Sequence, residues 1–146
     1  MTSTLATTTG PTRGIGTLLL AHAPLATAFA RVAADLGLDV SGLMRLDMAP
    51  DMSREHVLAA AKMLMADSQC EAFLVLIDLG GGCSPFAVGQ SLQNAMGDKV
   101  RVVAGLNSAM LVTALCHHDL DLDALAEHAM KRGSDGIQAV RGVQTG

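Results

Sequence analysis

The chain has no tryptophan, no tyrosine and only three phenylalanines. So few flat rings leave no platform on which nucleobases or sugar rings could stack. Ten basic residues stand against fourteen acidic ones, a formal net charge of -4, so a nucleic acid backbone meets no basic footprint. Cysteine is also scarce: Cys70, Cys83 and Cys116 are odd in number and far apart. That pattern argues against a secreted disulfide framework and for the reduced thiols of the cytoplasm. No apolar run is long enough to span a bilayer. The run nearest the start, Leu18 to Ala21, also lacks the basic flank and extended apolar region of an export signal. A cytoplasmic protein without membrane insertion and without nucleic acid as partner is the expectation.

What the chain does have is apolar content. Half of its 146 residues are hydrophobic, enough to bury the core of one domain without disulfides. Residues 1–13 are rich in Thr and Ser and contain Gly10 and Pro11. Such a stretch buries too little surface to offset its ordering entropy, so it reads as a flexible tail preceding a domain over 14–146.

Apolar runs and helical periodicities then alternate. Ile15 to Ala21 reads as a buried strand, and Pro24 opens a helix with Leu25, Phe29, Val32, Ala33 and Leu36 on one face. Gly37 ends it. Leu38 to Leu46 reads as a second strand, and Pro50 and Ser53 punctuate the entry to a helix carrying Val57, Leu58, Ala61, Leu64 and Met65. Ala72 to Ile77 is a third strand, with Ser84 and Pro85 as N-cap and first turn of a third helix. Val100 to Ala104 is a fourth. Asn107 or Ser108 caps a helix with Met110, Leu111 and Leu115, and Leu122, Leu125, Ala126, Ala129 and Met130 line the inner stripe of a fifth. Ile137 to Val140 reads as a short terminal strand. Strands that are apolar almost throughout and alternate with helices predict an α/β, doubly wound fold: a mainly parallel four-stranded sheet with helices on both faces.

In such sheets ligands bind beyond the carboxyl ends of the strands, which here are His22, Asp47, Asp78 and Asn107. Nothing in a leucine-rich strand calls for the imidazole of His22, although a lone histidine also serves to bond a neighbouring carbonyl. A carboxylate at Asp78 can accept one ring N–H, fix the tautomer and leave the other nitrogen as a nucleophile; its plain alternative is a turn aspartate. The glycines Gly80, Gly81 and Gly82 and then Ser84 lead into the third helix, where backbone N–H groups and the helix dipole favour an anion. A tight turn needs such glycines too. Taken together, a nitrogen nucleophile, an orienting carboxylate and a nest of donors at Gly81, Gly82 and Ser84 suggest phosphohistidine chemistry, which rests on positioning and charge.

Other chemistries lack their usual signatures. There is no phosphate-loop G-x-x-x-x-G-K-[ST], no G-x-G-x-x-G at a strand-to-helix junction, no G-x-S-x-G elbow and no H-E-x-x-H pair. Cys83, near a helix start, is either a thiol nucleophile beside His22 or a small loop residue. The run Cys116, His117, His118, Asp119 holds ligand-type residues, but helical neighbours do not share a face, so no metal is expected. His56 and His128 sit beside charged residues and are assigned no role.

Three segments in order carry a family resemblance: A-H-A-P-L-A at Ala21 to Ala26, D-L-G-G-G-C-S-P-F at Asp78 to Phe86, and V-A-G-L-N-S-A-M-L at Val103 to Leu111. They resemble enzyme IIA of the mannose family of the phosphoenolpyruvate-dependent sugar phosphotransferase system. The resemblance implies that His22 accepts a phosphoryl group from the carrier HPr and passes it to a IIB component. Asp78 would orient the ring, Ser84 would contact the phosphate, and Asn107 would lie nearby. It also implies a homodimer that exchanges a short C-terminal strand, here Ile137 to Val140, and no cofactor. The turn from Asp78 to Pro85 is one residue longer than the family's, with Cys83 as the extra residue; Ala87 and Ala109 stand where an asparagine and a proline are common. These departures leave two alternatives open, a non-catalytic regulatory module of the same fold and the phosphoryl-donor subunit of a dihydroxyacetone kinase.

Overall fold

A computed structural model describes residues 14–144. The expected N-terminal tail, residues 1–13, lies outside the described residues. Strands β1 (Ile15–His22), β2 (Leu43–Met48), β3 (Ala72–Ile77) and β4 (Val100–Ala104) alternate with helices α1 (Leu25–Asp35), α2 (Arg54–Asp67), α3 (Ser84–Met96), α4 (Ser108–Cys116) and α5 (Leu122–Asp135). A single 3-10 turn, Gly97–Lys99, joins α3 to β4.

The four strands form one sheet in the order β2-β1-β3-β4, every pair parallel. Parallel neighbours require crossovers, and the helices of those crossovers cover both faces. Alternation along β1 divides the core in two: Leu19 and Ala21 pack with residues of α1, α4 and α5, while Leu18 and Leu20 pack with Val57, Ala61 and Met65 of α2 and Val88 and Leu92 of α3. Register sets the working end of the sheet. Leu20 lies opposite Ile77 of β3, and His22 opposite Met48 of β2, so the chain leaves β1 and β3 side by side.

Four local expectations change. The second strand begins at Leu43 rather than Leu38, because Asp39 accepts the backbone N–H of Ser41 at 3.0 Å and Leu43 bonds back to Val40, which makes 38–42 a turn. Cys83, not Ser84, takes the N-cap position of α3. Helix α1 buries its small residues Ala26 and Ala33 rather than Leu25, Val32 and Leu36, which remain exposed. No strand forms at Ile137 to Val140. Residues 137–144 have no regular structure, and Val140 is 96% exposed: the segment pairs with neither free edge of the sheet in the single chain.

The start of α1 is capped from a distance. Pro24 makes no side-chain cap, and the carboxylate of Asp47, at the end of β2, accepts the N–H groups of Ala26 at 2.8 Å and Thr27 at 3.3 Å together with the Thr27 hydroxyl. The cap ties α1, and the segment that follows His22, to the neighbouring strand. Replacing Asp47 by Ala is expected to cost about 1–2 kcal/mol of stability, the usual loss for an N-cap, measured by urea unfolding; an unchanged midpoint would show that the cap contributes nothing.

Candidate functional site

His22 closes β1 and Asp78 follows β3, so the register of these two strands brings the imidazole and the carboxylate together. His22 Nδ1 lies 2.9 Å from Asp78 Oδ2, and the His22 backbone N–H points at the same oxygen at 3.4 Å. With Nδ1–H donating to the carboxylate, Nε2 carries the free lone pair. The histidine side chain is 44% exposed while that of Asp78 is only 10% exposed, so the carboxylate is sheltered and the imidazole is open to solvent. The other oxygen, Oδ1, is buried with no hydrogen-bond partner among the described residues. A carboxyl group placed this way has the ring, rather than water, as its hydrogen-bonding partner.

The glycine loop lies next in the chain. Gly81 has φ of +94°, in the left-handed region that favours glycine, and a Cβ there would meet nothing within 4 Å. Among the described residues the backbone N–H groups of Gly81 and Gly82 make no hydrogen bond outside regular elements. Donors in a left-handed turn beside a helix N-terminus form the kind of concavity that holds an anion. Cys83 bends back, its thiol donating to the Leu79 carbonyl at 3.2 Å, and so closes the longer turn on itself; no contact with His22 accompanies it. Ser84 is half-buried, and its hydroxyl accepts the Arg54 Nε–H at 3.3 Å.

Asn107 serves elsewhere. Its oxygen accepts the Met110 N–H at 3.1 Å as the N-cap of α4, and its amide donates to the Gly133 carbonyl at 3.1 Å in α5. Gly105, with φ of +96°, turns the chain so that both its own N–H and that of Leu106 reach the Ile77 carbonyl at 2.9 Å. The G-L-N-S segment therefore braces the end of β3, immediately before Asp78. The run Cys116 to Asp119 gathers no ligand set: His117 meets His128 edge-on at 4.5 Å between ring centres, and no group of three His, Cys, Asp or Glu suited to a metal occurs among the described residues. Burial pushes the Cys70 thiol above its ordinary value.

Two features at this end of the sheet escape sequence reading. One is Arg54, which touches Ser84 from α2. The other is a set of exposed apolar residues, Leu25 at 41%, Met52 at 42% and Leu79 at 57%. Leu25 and Leu79 each follow closely on a site residue, a neighbour relation visible in the sequence but unremarkable without the fold.

The sequence model of a family described as PTS system fructose IIA component, EIIA-man, matches residues 16–130. The chain belongs to that family. This mannose-family IIA protein is similar in structure to the phosphotransferase system component EIIA from Streptococcus agalactiae, at TM-score 0.75 and 26% identity over 86% of this chain and 96% of that one. The mannose/sorbose specific IIA subunit from Enterococcus faecalis shares the fold at TM-score 0.79 and 22% identity, over 91% and 99% of the two chains. A IIA protein associated with the fucose utilization operon of Streptococcus pneumoniae aligns at TM-score 0.65 and 25% identity, over 81% and 90%. No curated protein sequence gives a match. The protein is thus a component of the sugar phosphotransferase system, and no helix among its described residues is long and apolar enough to cross a membrane.

The geometry of the site fixes which ring nitrogen is free. In the nitrogen-15 NMR spectrum of His22 the Nδ1–H tautomer is expected to dominate over the neutral range, and Asp78→Ala is expected to shift the population toward Nε2–H, the form usual for a solvated imidazole. An unchanged tautomer ratio in the variant would mean that the carboxylate does not set it.

Proposed function

We propose that His22 is the phosphoryl-carrying residue of this mannose-family IIA protein, charged by phospho-HPr and discharged to a IIB component in the cytoplasm. The observation that carries this reading is the 2.9 Å bond from His22 Nδ1 to Asp78, which leaves Nε2 as an outward-facing nucleophile. In the transfer step the P–N bond of the donor histidine breaks and its electron pair stays on the donor imidazole. The Nε2 lone pair of His22 forms the new P–N bond, and the Nδ1 proton remains in its bond to Asp78. The phosphoryl group passes through a loose transition state with charge on its three equatorial oxygens, so the demand on the protein is for donors held in place. The N–H groups of Gly81 and Gly82 and the hydroxyl of Ser84 are suited to those oxygens, and no cofactor is needed.

Leu25, Met52 and Leu79 offer an apolar contact area for a partner protein, the composition expected at the centre of a docking surface. The family match weighs toward a mannose-type partner set and away from a dihydroxyacetone kinase subunit. A purely regulatory module is the outcome left if the longer loop no longer accepts phosphate.

Incubation with phosphoenolpyruvate, enzyme I and HPr is expected to add one acid-labile phosphoryl group, seen by intact-protein mass spectrometry and absent in His22→Ala. Ser84→Ala is expected to slow transfer about tenfold, the loss of one charge-assisted hydrogen bond. No adduct on the wild-type chain would overturn the carrier reading and favour the regulatory one.

The exposed tail of the domain supports a homodimer by strand exchange. Ile137, Val140 and Val143 are almost fully exposed, and a shallow groove of about 210 Å³ beside the free edge of β4, lined by Val103, Met110, Met130 and Ile137, lies next to the start of that segment. Light scattering after size-exclusion chromatography is expected to give a dimer for the full chain and a monomer for a chain truncated after Gly136; a full-length monomer would remove the exchange.

A further inference from the structure

Strand alternation places His22 on the same face as Leu18 and Leu20, the face covered by α2 and α3. The first turns of those two helices meet at the strand ends, where Arg54 Nε donates to Ser84 Oγ at 3.3 Å. Arg54 is exposed, and no carboxylate lies within ion-pair distance of it among the described residues. Its position is unfavourable for a cation. It occupies the first residue of α2, where the helix dipole is positive, and it faces the N-terminus of α3, also positive. Glu55, in the same turn of α2, is the neighbouring acid and lines the same small groove with Leu58 and Val88, yet makes no ion pair with Arg54.

A hydroxyl has one proton and two lone pairs. Once the Arg54 N–H occupies a lone pair of Ser84, the serine proton turns away from the guanidinium, and an anion held at the glycine loop is the acceptor that satisfies it. The terminal Nη groups of Arg54 make no other hydrogen bond among the described residues and add positive charge at the same place.

We propose that Arg54 is a positioning residue for phosphoryl transfer: it orients the Ser84 hydroxyl toward the phosphoryl oxygens and neutralises part of their charge. The proposal rests on the carrier reading for its role in transfer, while its anion-binding half stands without it. Arg54 itself exchanges no atoms in the step.

Two measurements separate the cases. In the first, inorganic phosphate is titrated into the unphosphorylated protein and the amide signals of Gly82 and Ser84 are followed by NMR. Saturable shifts are expected in the wild type, with Arg54→Ala weakening binding about tenfold and Arg54→Lys restoring only part, because lysine keeps the charge but not the Nε–H. In the second, the rate of transfer from phospho-HPr is measured for Arg54→Ala, Ser84→Ala and the double variant. Arg54→Ala is expected to slow transfer about tenfold, and the double variant to be slower than Ser84→Ala but by clearly less than the product of the two single effects, because part of the arginine's contribution passes through the Ser84 hydroxyl. Arg54 is exposed, so thermal melting of the single variant should match the wild type. Absence of saturable phosphate shifts, or equal phosphate affinity in Arg54→Ala, overturns the proposal; so does a double variant slowed by the product of the two single effects. A wild type that binds phosphate through Arg54 but takes no phosphoryl group from HPr would sustain this inference and overturn the carrier reading.

Discussion

The pairing of β1 with β3 is the constraint on which the site depends. A slip of one residue in that register would turn every side chain of one strand to the opposite face. Leu20 is held opposite Ile77 by two buried layers at once, since Leu18 and Leu20 pack against α2 and α3 while Leu19 and Ala21 pack against α1, α4 and α5. His22 and Asp78 are the first polar residues beyond that double lock, and their hydrogen bond follows from it. The core therefore does for the imidazole what no local turn could do: it supplies a partner from 56 positions away in the chain.

Much of this was legible in the residues. The third and fourth strands fall where the runs Ala72 to Ile77 and Val100 to Ala104 place them, because a strand covered on both faces must be apolar on both, a demand that relaxes at Arg101 on the sheet's edge. His22 and Asp78 stood out because they interrupt such runs. What pattern could not show were contacts between elements distant in sequence. Asp47 was visible as a strand end, but its use as the cap of α1 required knowing that β2 lies beside β1. Asn107 was read as a site neighbour because its motif is, yet its two side-chain bonds go to α4 and α5. Arg54 carries no signal in the sequence, because its partner Ser84 stands 30 positions away in the chain. The segment Ile137 to Val140 has the apolar character of a strand but pairs with no edge of the sheet in the single chain, because apolar pattern alone does not say which edge, if any, a strand-like segment joins.

The residues assembled at the strand ends divide the chemical labour between a charge and a set of dipoles. Asp78 acts through a sheltered carboxylate on one side of the ring. In the proposed transfer, the glycine loop, the Ser84 hydroxyl and the two helix N-termini would act through oriented donors on the phosphoryl group. Neither part alone is unusual in α/β proteins; what makes the combination informative is that both stand at the carboxyl ends of the same two neighbouring strands, β1 and β3.

The double hydrogen bond to the Ile77 carbonyl, from Gly105 and Leu106, has a mechanical meaning. It fixes the last residue of β3 to the turn after β4, so the chain is clamped just before Asp78. Everything that distinguishes this loop in length, from Leu79 to Cys83, lies downstream of the clamp. The Cys83 bend closes this segment on itself, away from the ring and its carboxylate. Aim and loop shape are thereby separable traits: a change of length or of donors beyond the clamp leaves the direction in which the histidine points to the strands alone.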